Sequence, residues 1–145
     1  MLDDAYFMRL AIEEAKLGLE KDEVPVGALV VSQQQIIGKG HNLTEQLTDV
    51  TAHAEMQAIT AAAQYLGAKY LRECTLYVTL EPCPMCAGAL HWAQMGRVIY
   101  GAADPKRGAT TFTPSIYHPS TEVQGGVEKD SCLHLLTSFF RDKRS

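Results

Sequence analysis

Apolar residues recur at helical spacing in the first stretch of the chain. Met8, Ala11, Ile12, Ala15 and Leu19 share one face, and Asp3 stands ahead of them as an N-cap. This pattern predicts an amphipathic helix ending between Gly18 and Asp22. The rhythm then shortens. Residues 26–31 form an apolar run, Ser32-Gln33-Gln34-Gln35 is polar, and residues 36–39 return to strand character, which predicts a hairpin. Residues 41–50 are polar and aperiodic and read as a loop. From Thr51 the helical period resumes, with Ala54, Ala58, Ala61, Ala62 and Tyr65 on a small-residue face suited to packing on a sheet, and Gly67 stops it. A strand over 74–80, a helix over 84–93 and a strand over 97–101 follow. Residues 102–123 are rich in Pro, Thr, Ser and Gly and read as a long surface segment of the kind that carries function. Leu133, Leu135, Leu136, Phe139 and Phe140 mark a closing amphipathic helix. This order implies a layered α/β domain with helices on a mixed sheet.

Composition narrows the class. With 145 residues, 46% hydrophobic and 21% charged, the chain reads as a single domain spanning 1–145 with a real core. Its longest apolar run, 24–31, is interrupted by Pro25 and Gly27 and is too short to cross a bilayer. The start, Met1-Leu2-Asp3-Asp4, has neither the basic residues nor the apolar stretch of a signal peptide. A cytoplasmic location without membrane contact is therefore expected, and there thiols stay reduced. That argues against reading the four cysteines as two disulfides, and Cys74 and Cys132, set among apolar residues, read as buried bystanders. The net charge of −4 does not advertise a nucleic-acid binder. Its distribution permits an anionic partner all the same. The first 23 residues hold seven acids against three bases, whereas from Arg97 onward seven bases face five acids, ending in Arg141-Asp142-Lys143-Arg144.

The candidate chemistry lies at two predicted helix starts. In Pro82-Cys83-Pro84-Met85-Cys86, two cysteines three apart on a first helical turn point their sulfurs the same way. The helix N-terminus favours thiolate over thiol. Alone this run suits a redox pair as well as a metal pair. His53-Ala54-Glu55, 26 residues upstream, tips the balance to metal. The second helix and the returning strand have matched lengths, roughly 20 Å each, so the two helix starts should meet. His53, Cys83 and Cys86 then give zinc three protein ligands and leave one position open, as catalytic sites do. Glu55, two residues from His53, is offset from the metal but near the water. There it can take a proton and pass it to a ring nitrogen and then to a leaving amine.

His-x-Glu followed by Pro-Cys-x-x-Cys resembles the signature of zinc nucleobase deaminases. The likeness runs further, through Asp22-Glu23-Val24-Pro25-Val26-Gly27-Ala28, Gly40-His41-Asn42, Thr51-Ala52-His53-Ala54-Glu55, Leu80 to Ala89, Gly101-Ala102-Ala103-Asp104-Pro105-Lys106 and Phe139-Phe140-Arg141. Over nearly the whole chain the sequence is similar to the bacterial tRNA-specific adenosine deaminases. The resemblance implies a three-layer α-β-α cytidine deaminase-like fold around a mixed sheet of about five strands. It implies a homodimer that binds tRNA and converts the wobble adenosine of an arginine tRNA anticodon to inosine. It also implies zinc on His53, Cys83 and Cys86, with Glu55 as proton shuttle. Asn42 and the Ala54 backbone would hold the purine, Val26 would line its pocket, and Asp104 and Lys106 would meet flanking nucleotides. Two places depart from the family pattern. His41 stands where an aromatic such as Trp is common, and residues 118–123 are shorter than usual and lack an Asn-His pair.

Two other readings compete. A free-base deaminase acting on guanine or cytosine would use the same zinc site, though Asp104-Pro105-Lys106 and Phe139-Phe140-Arg141 look like the tRNA enzyme. A zinc-stabilised interaction module would need a fourth protein ligand and would have no use for Glu55.

Overall fold

The central strands are apolar on both faces because each face is covered by its own pair of helices. The computed structural model describes residues 1–144. In chain order the elements are α1 (Asp4–Glu20), β1 (Gly27–Ser32), β2 (Gln35–His41), α2 (Ala54–Leu66), β3 (Thr75–Leu80), α3 (Pro84–Ala93), β4 (Arg97–Ala102), a 3-10 turn at Ala109–Thr111, β5 (Glu122–Gln124) and α4 (Lys129–Arg144). One mixed sheet runs β2-β1-β3-β4-β5. β1 pairs antiparallel with β2 and with β3, while β3, β4 and β5 are parallel. Alternation along the strands sends Ala28, Val30, Leu76, Val78 and Val98 toward α2 and α3. Leu29, Val31, Tyr77 and Ile99 go toward α1 and α4. The expected three-layer α-β-α architecture with five strands is what forms.

Two features of this packing place the site. First, α2 lies almost backbone to backbone on β2. A Cβ at Gly40 would run into the Ala54 carbonyl and the Ala58 amide, so only glycine admits the helix there. Ala54, Ala58 and Ala62 complete the close face. Gln57 stitches the seam by donating from Nε2 to the His41 carbonyl at 2.6 Å. Second, α3 crosses from β3 to its parallel neighbour β4, so the loops after both strands open at the same carboxyl edge. That edge is where parallel α/β sheets receive ligands.

Several expectations shift in detail. Leu19, Tyr65, Leu133 and Phe140 are exposed rather than facing the core; Phe7 and Gly18 take buried places on α1, and Cys132 joins Leu136 and Phe139 as the buried residues of α4. α2 starts at Ala54, not Thr51, because Asp49 accepts from the Thr51 amide and hydroxyl and holds that stretch in a turn. The segment 102–123 is not wholly irregular. It carries the 3-10 turn and delivers β5, whose three residues are all exposed and so lack the apolar run by which a strand is recognised. Cys74 and Cys132 are buried, and burial pushes both thiols up, which keeps them inert.

Candidate active site

The N-termini of α2 and α3 meet at the carboxyl edge of the sheet. His53 is the N-cap of α2 and Cys83 the N-cap of α3, both with extended backbone (φ −73°, ψ 156° and φ −75°, ψ 170°). Neither side chain caps its own helix, so imidazole and thiol are free to face each other. Pro84 begins α3 where a missing N–H costs nothing, and the first turn carries Cys86 to the same side as Cys83. His53 Nδ1 lies 3.7 Å from Cys83 Sγ and 3.5 Å from Cys86 Sγ. Among the described residues these three form the group able to hold a metal ion, with their ligand atoms within 4.8 Å of one another.

The protons in this cluster show what it is built to hold. Cys83 is drawn down to about 4 by its bond from Cys86 and by His53. Cys86 is pushed far up by the same bond and by burial. The Cys83 contact also raises His53. The cluster thus favours a thiolate at Cys83 with Cys86 and His53 turned toward it, and metal binding would require those ligand atoms to be free of protons. Two sulfurs and an imidazole are a zinc donor set.

Glu55 sits beside the cluster without belonging to it, 4% exposed in the first turn of α2. Burial pushes its carboxyl up to about 7 against the pull of its own backbone N–H and of His53. A group that titrates near neutrality can both take and give a proton.

His53, Cys83 and Glu55 line a cleft of about 760 Å³, with Cys86 buried behind them. Val26, Asn42, Ala54, Asp104 and Lys106, each expected from sequence, line it together with Arg107 and Phe140. Asn42 is buried, and its Oδ1 accepts from the Thr44 amide at 3.3 Å. The Asp104 carboxylate is turned inward on its own loop, accepting from the Lys106 and Arg107 amides at 3.2 and 3.0 Å. Of the C-terminal cations, Lys143 is paired with Asp22 at 2.5 Å and Arg141 with Asp142 at 3.9 Å. His41 points away toward α1, with Nδ1 against Glu14 at 3.1 Å and Nε2 against Lys21 at 3.0 Å.

The expected set left out two buried carboxylates. Glu23 accepts from the Glu45 and Gln46 amides at 3.0 and 2.7 Å and secures the loop after Asn42. Glu81 accepts from the Asp104 and Thr110 amides at 2.9 Å each, and from the Thr110 hydroxyl. An acid between an apolar strand and Pro82 was the visible signal for Glu81, since a buried carboxylate there must find donors. Nothing local marks Glu23 off from the acids around it.

Fold and cluster together define a deaminase-type zinc-binding domain, and residues 1–102 match the family described as cytidine and deoxycytidylate deaminase zinc-binding region. A tRNA-specific adenosine deaminase of Agrobacterium fabrum is 42% identical over 99% of this chain and 98% of its own length. A solved structure from studies of A-to-I editing by tRNA:A34 deaminases superposes with a TM-score of 0.84 at 42% identity, covering 90% of this chain and 99% of that one. The guanine deaminase of Bacillus subtilis is 39% identical, with a TM-score of 0.67 over 70% of this chain and 66% of its own. The chain belongs to the tRNA-specific adenosine deaminase family.

Proposed function

We propose that this protein is a zinc-dependent enzyme that hydrolytically deaminates adenosine to inosine at the wobble position (34) of a tRNA anticodon, as the activity of its relatives suggests. The observation that carries the chemistry is a three-ligand cluster with a buried carboxyl beside it, opening on a cleft. His53, Cys83 and Cys86 would hold the metal. Zinc, when bound, supplies the Lewis acidity that makes water a nucleophile near neutral pH. Glu55 takes a proton from the attacking water, gives it to purine N1, and later moves a proton to the departing 6-amino nitrogen. Adenosine and water thereby become inosine and ammonia. The Asn42 amide and the Ala54 backbone hold the purine, Val26 packs against it, and the loop bearing Asp104 and Lys106 meets neighbouring nucleotides.

Among the described residues the cluster offers three ligands, which would leave zinc a place for water and so favours the enzyme over an interaction module. An anticodon loop presents unpaired bases that are easily splayed into a pocket. We further infer that the chain is one domain that works as a homodimer in the cytoplasm. Trp92, 79% exposed on α3 with Met85 on the same helix, suits a partner surface, and the free cysteines suit a reducing compartment. No described helix is long and apolar enough to cross a membrane.

The test is to incubate the zinc-loaded protein with tRNA from its own organism and sequence for adenosine read as guanosine at the wobble position. Rapid deamination of free guanine or cytosine with tRNA left untouched would overturn the reading in favour of the free-base enzyme.

A further inference from the structure

Each lip of the cleft is a loop hung from a buried glutamate, and the two lips differ in charge. Glu23, fully buried, secures the lip of residues 42–48, which carries no lysine or arginine. Glu81, 4% exposed, secures the lip of residues 103–111, which carries Lys106 and Arg107. Among the described residues, neither carboxylate has a cationic side chain as hydrogen-bond partner. Each is satisfied by donors from its own loop, so burying it is tolerable only while that loop keeps one shape.

The Glu81 lip is the more tightly specified. Its carboxylate takes donors from both ends of the loop, Asp104 and Thr110, so it fixes the span between them. Inside that span the Asp104 carboxylate collects the Lys106 and Arg107 amides, and the Asp104 carbonyl accepts from Gly108 at 2.8 Å. Gly108 has no room for a side chain because the Glu81 carboxylate fills the space. The Ala109 amide donates to the Pro82 carbonyl at 2.9 Å, one residue from Cys83. A chain of hydrogen bonds therefore runs from the segment bearing the metal-site thiols to the backbone of the two cations.

We propose that Glu81 is a positioning residue that holds Lys106 and Arg107 at a fixed distance from the metal cluster, so that the phosphates of an extruded nucleotide's neighbours meet both cations at once. This assignment rests on the proposed function. Glu81 borders the cleft, but its carboxylate oxygens are spent on the Asp104 and Thr110 amides and the Thr110 hydroxyl. Its effect passes through the loop backbone, and it governs how the RNA is gripped rather than how the proton moves.

The experiment compares zinc-loaded wild type, Glu81→Gln and Glu23→Gln on an anticodon stem-loop RNA with adenosine at the wobble position. Zinc content, hydrogen exchange, KM, kcat and the salt dependence of binding are measured for each. Glu81→Gln replaces one acceptor oxygen with an amide that faces an N–H. It should raise KM about tenfold with kcat changed less than about twofold, a loss equal to one cation–phosphate contact. The slope of log affinity against log salt should fall by about one unit. Exchange should quicken at the Asp104 and Thr110 amides while zinc stays bound. Glu23→Gln removes an equally buried anchor and should leave the salt slope unchanged, since its lip bears no cations. Equal loss of salt slope in both variants, loss of zinc in Glu81→Gln, or a fall in kcat with KM constant would overturn the assignment. So would a Glu81→Gln protein that behaves as wild type. If wild type itself ignores the stem-loop, the function reading has failed and takes this assignment with it.

Discussion

Glu55 shows how burial sets chemistry at a single residue. In water its carboxyl would be ionised at neutral pH, but enclosure at the start of α2 pushes it up to about 7. Replacing it by Gln or Ala should leave zinc content and fold intact and lower kcat by about two to four orders of magnitude, read by inosine formation under saturating RNA. The raised value also has a stability consequence in chelator-treated protein. The folded state keeps a proton that the unfolded chain, with an ordinary carboxyl pKa of 4.5, gives up. The Glu55 contribution is therefore fully present below pH 4.5 and is lost as pH rises toward about 7. Denaturant unfolding across that range should show metal-free Glu55→Gln losing less stability than metal-free wild type. The proposed ligand residues behave differently. Cys83→Ala and Cys86→Ala should each bind far less than one zinc per chain by elemental analysis, and should unfold at lower temperature, because metal affinity here is also folding energy. Full zinc occupancy in both would sink the ligand assignment.

At the scale of elements, the seam between β2 and α2 decides where His53 stands. Gly40 lets the helix backbone come close, and Gln57 ties α2 to the His41 carbonyl beside Asn42. Gly40→Ala forces Cβ into the Ala54 carbonyl, so α2 must shift at the turn that follows His53. The expected cost is about 1–3 kcal/mol of stability, with zinc affinity weakened as well, measured by unfolding and by competition with a chelator. An unchanged midpoint would mean the seam is looser than this packing requires. The hairpin, α3 and the closing helix are where apolar rhythm placed them, because a buried stripe or run leaves its period in the sequence. β5 left none, since edge pairing to β4 uses backbone groups and its side chains stay in solvent.

For the whole molecule the charge question resolves by place rather than by sum. A chain of net charge −4 still presents Lys106 and Arg107 at the cleft mouth, while Lys143 and Arg141 are engaged with acids. Replacing both Lys106 and Arg107 with Gln should weaken stem-loop binding across sequences and flatten the salt slope by about one unit per lost phosphate contact, with zinc content unchanged. Binding assays at a series of salt concentrations decide it. A slope unaltered by the double change would move the RNA contact to another surface.

The sequence by itself singled out His53, Cys83 and Cys86 as a candidate donor set, because no other pairing of His-x-Glu with Cys-x-x-Cys exists in the chain, and the fold brings the three side chains together. It also determined the layered α/β class, since alternating strand and helix periods are local signals. The resemblance added Asn42, Val26 and the loop at Asp104 and Lys106, and the cleft brings all of them to one place. Only the tertiary structure decided what each polar group spends its hydrogen bonds on. Asp104 caps its own turn, His41 turns to Glu14 and Lys21, and Glu23 and Glu81 disappear beneath the two lips. The physical reason is that a buried carboxylate is stable only where several donors converge. Those donors come from residues 22, 23 and 29 positions away in the chain, so only the folded backbone assembles them.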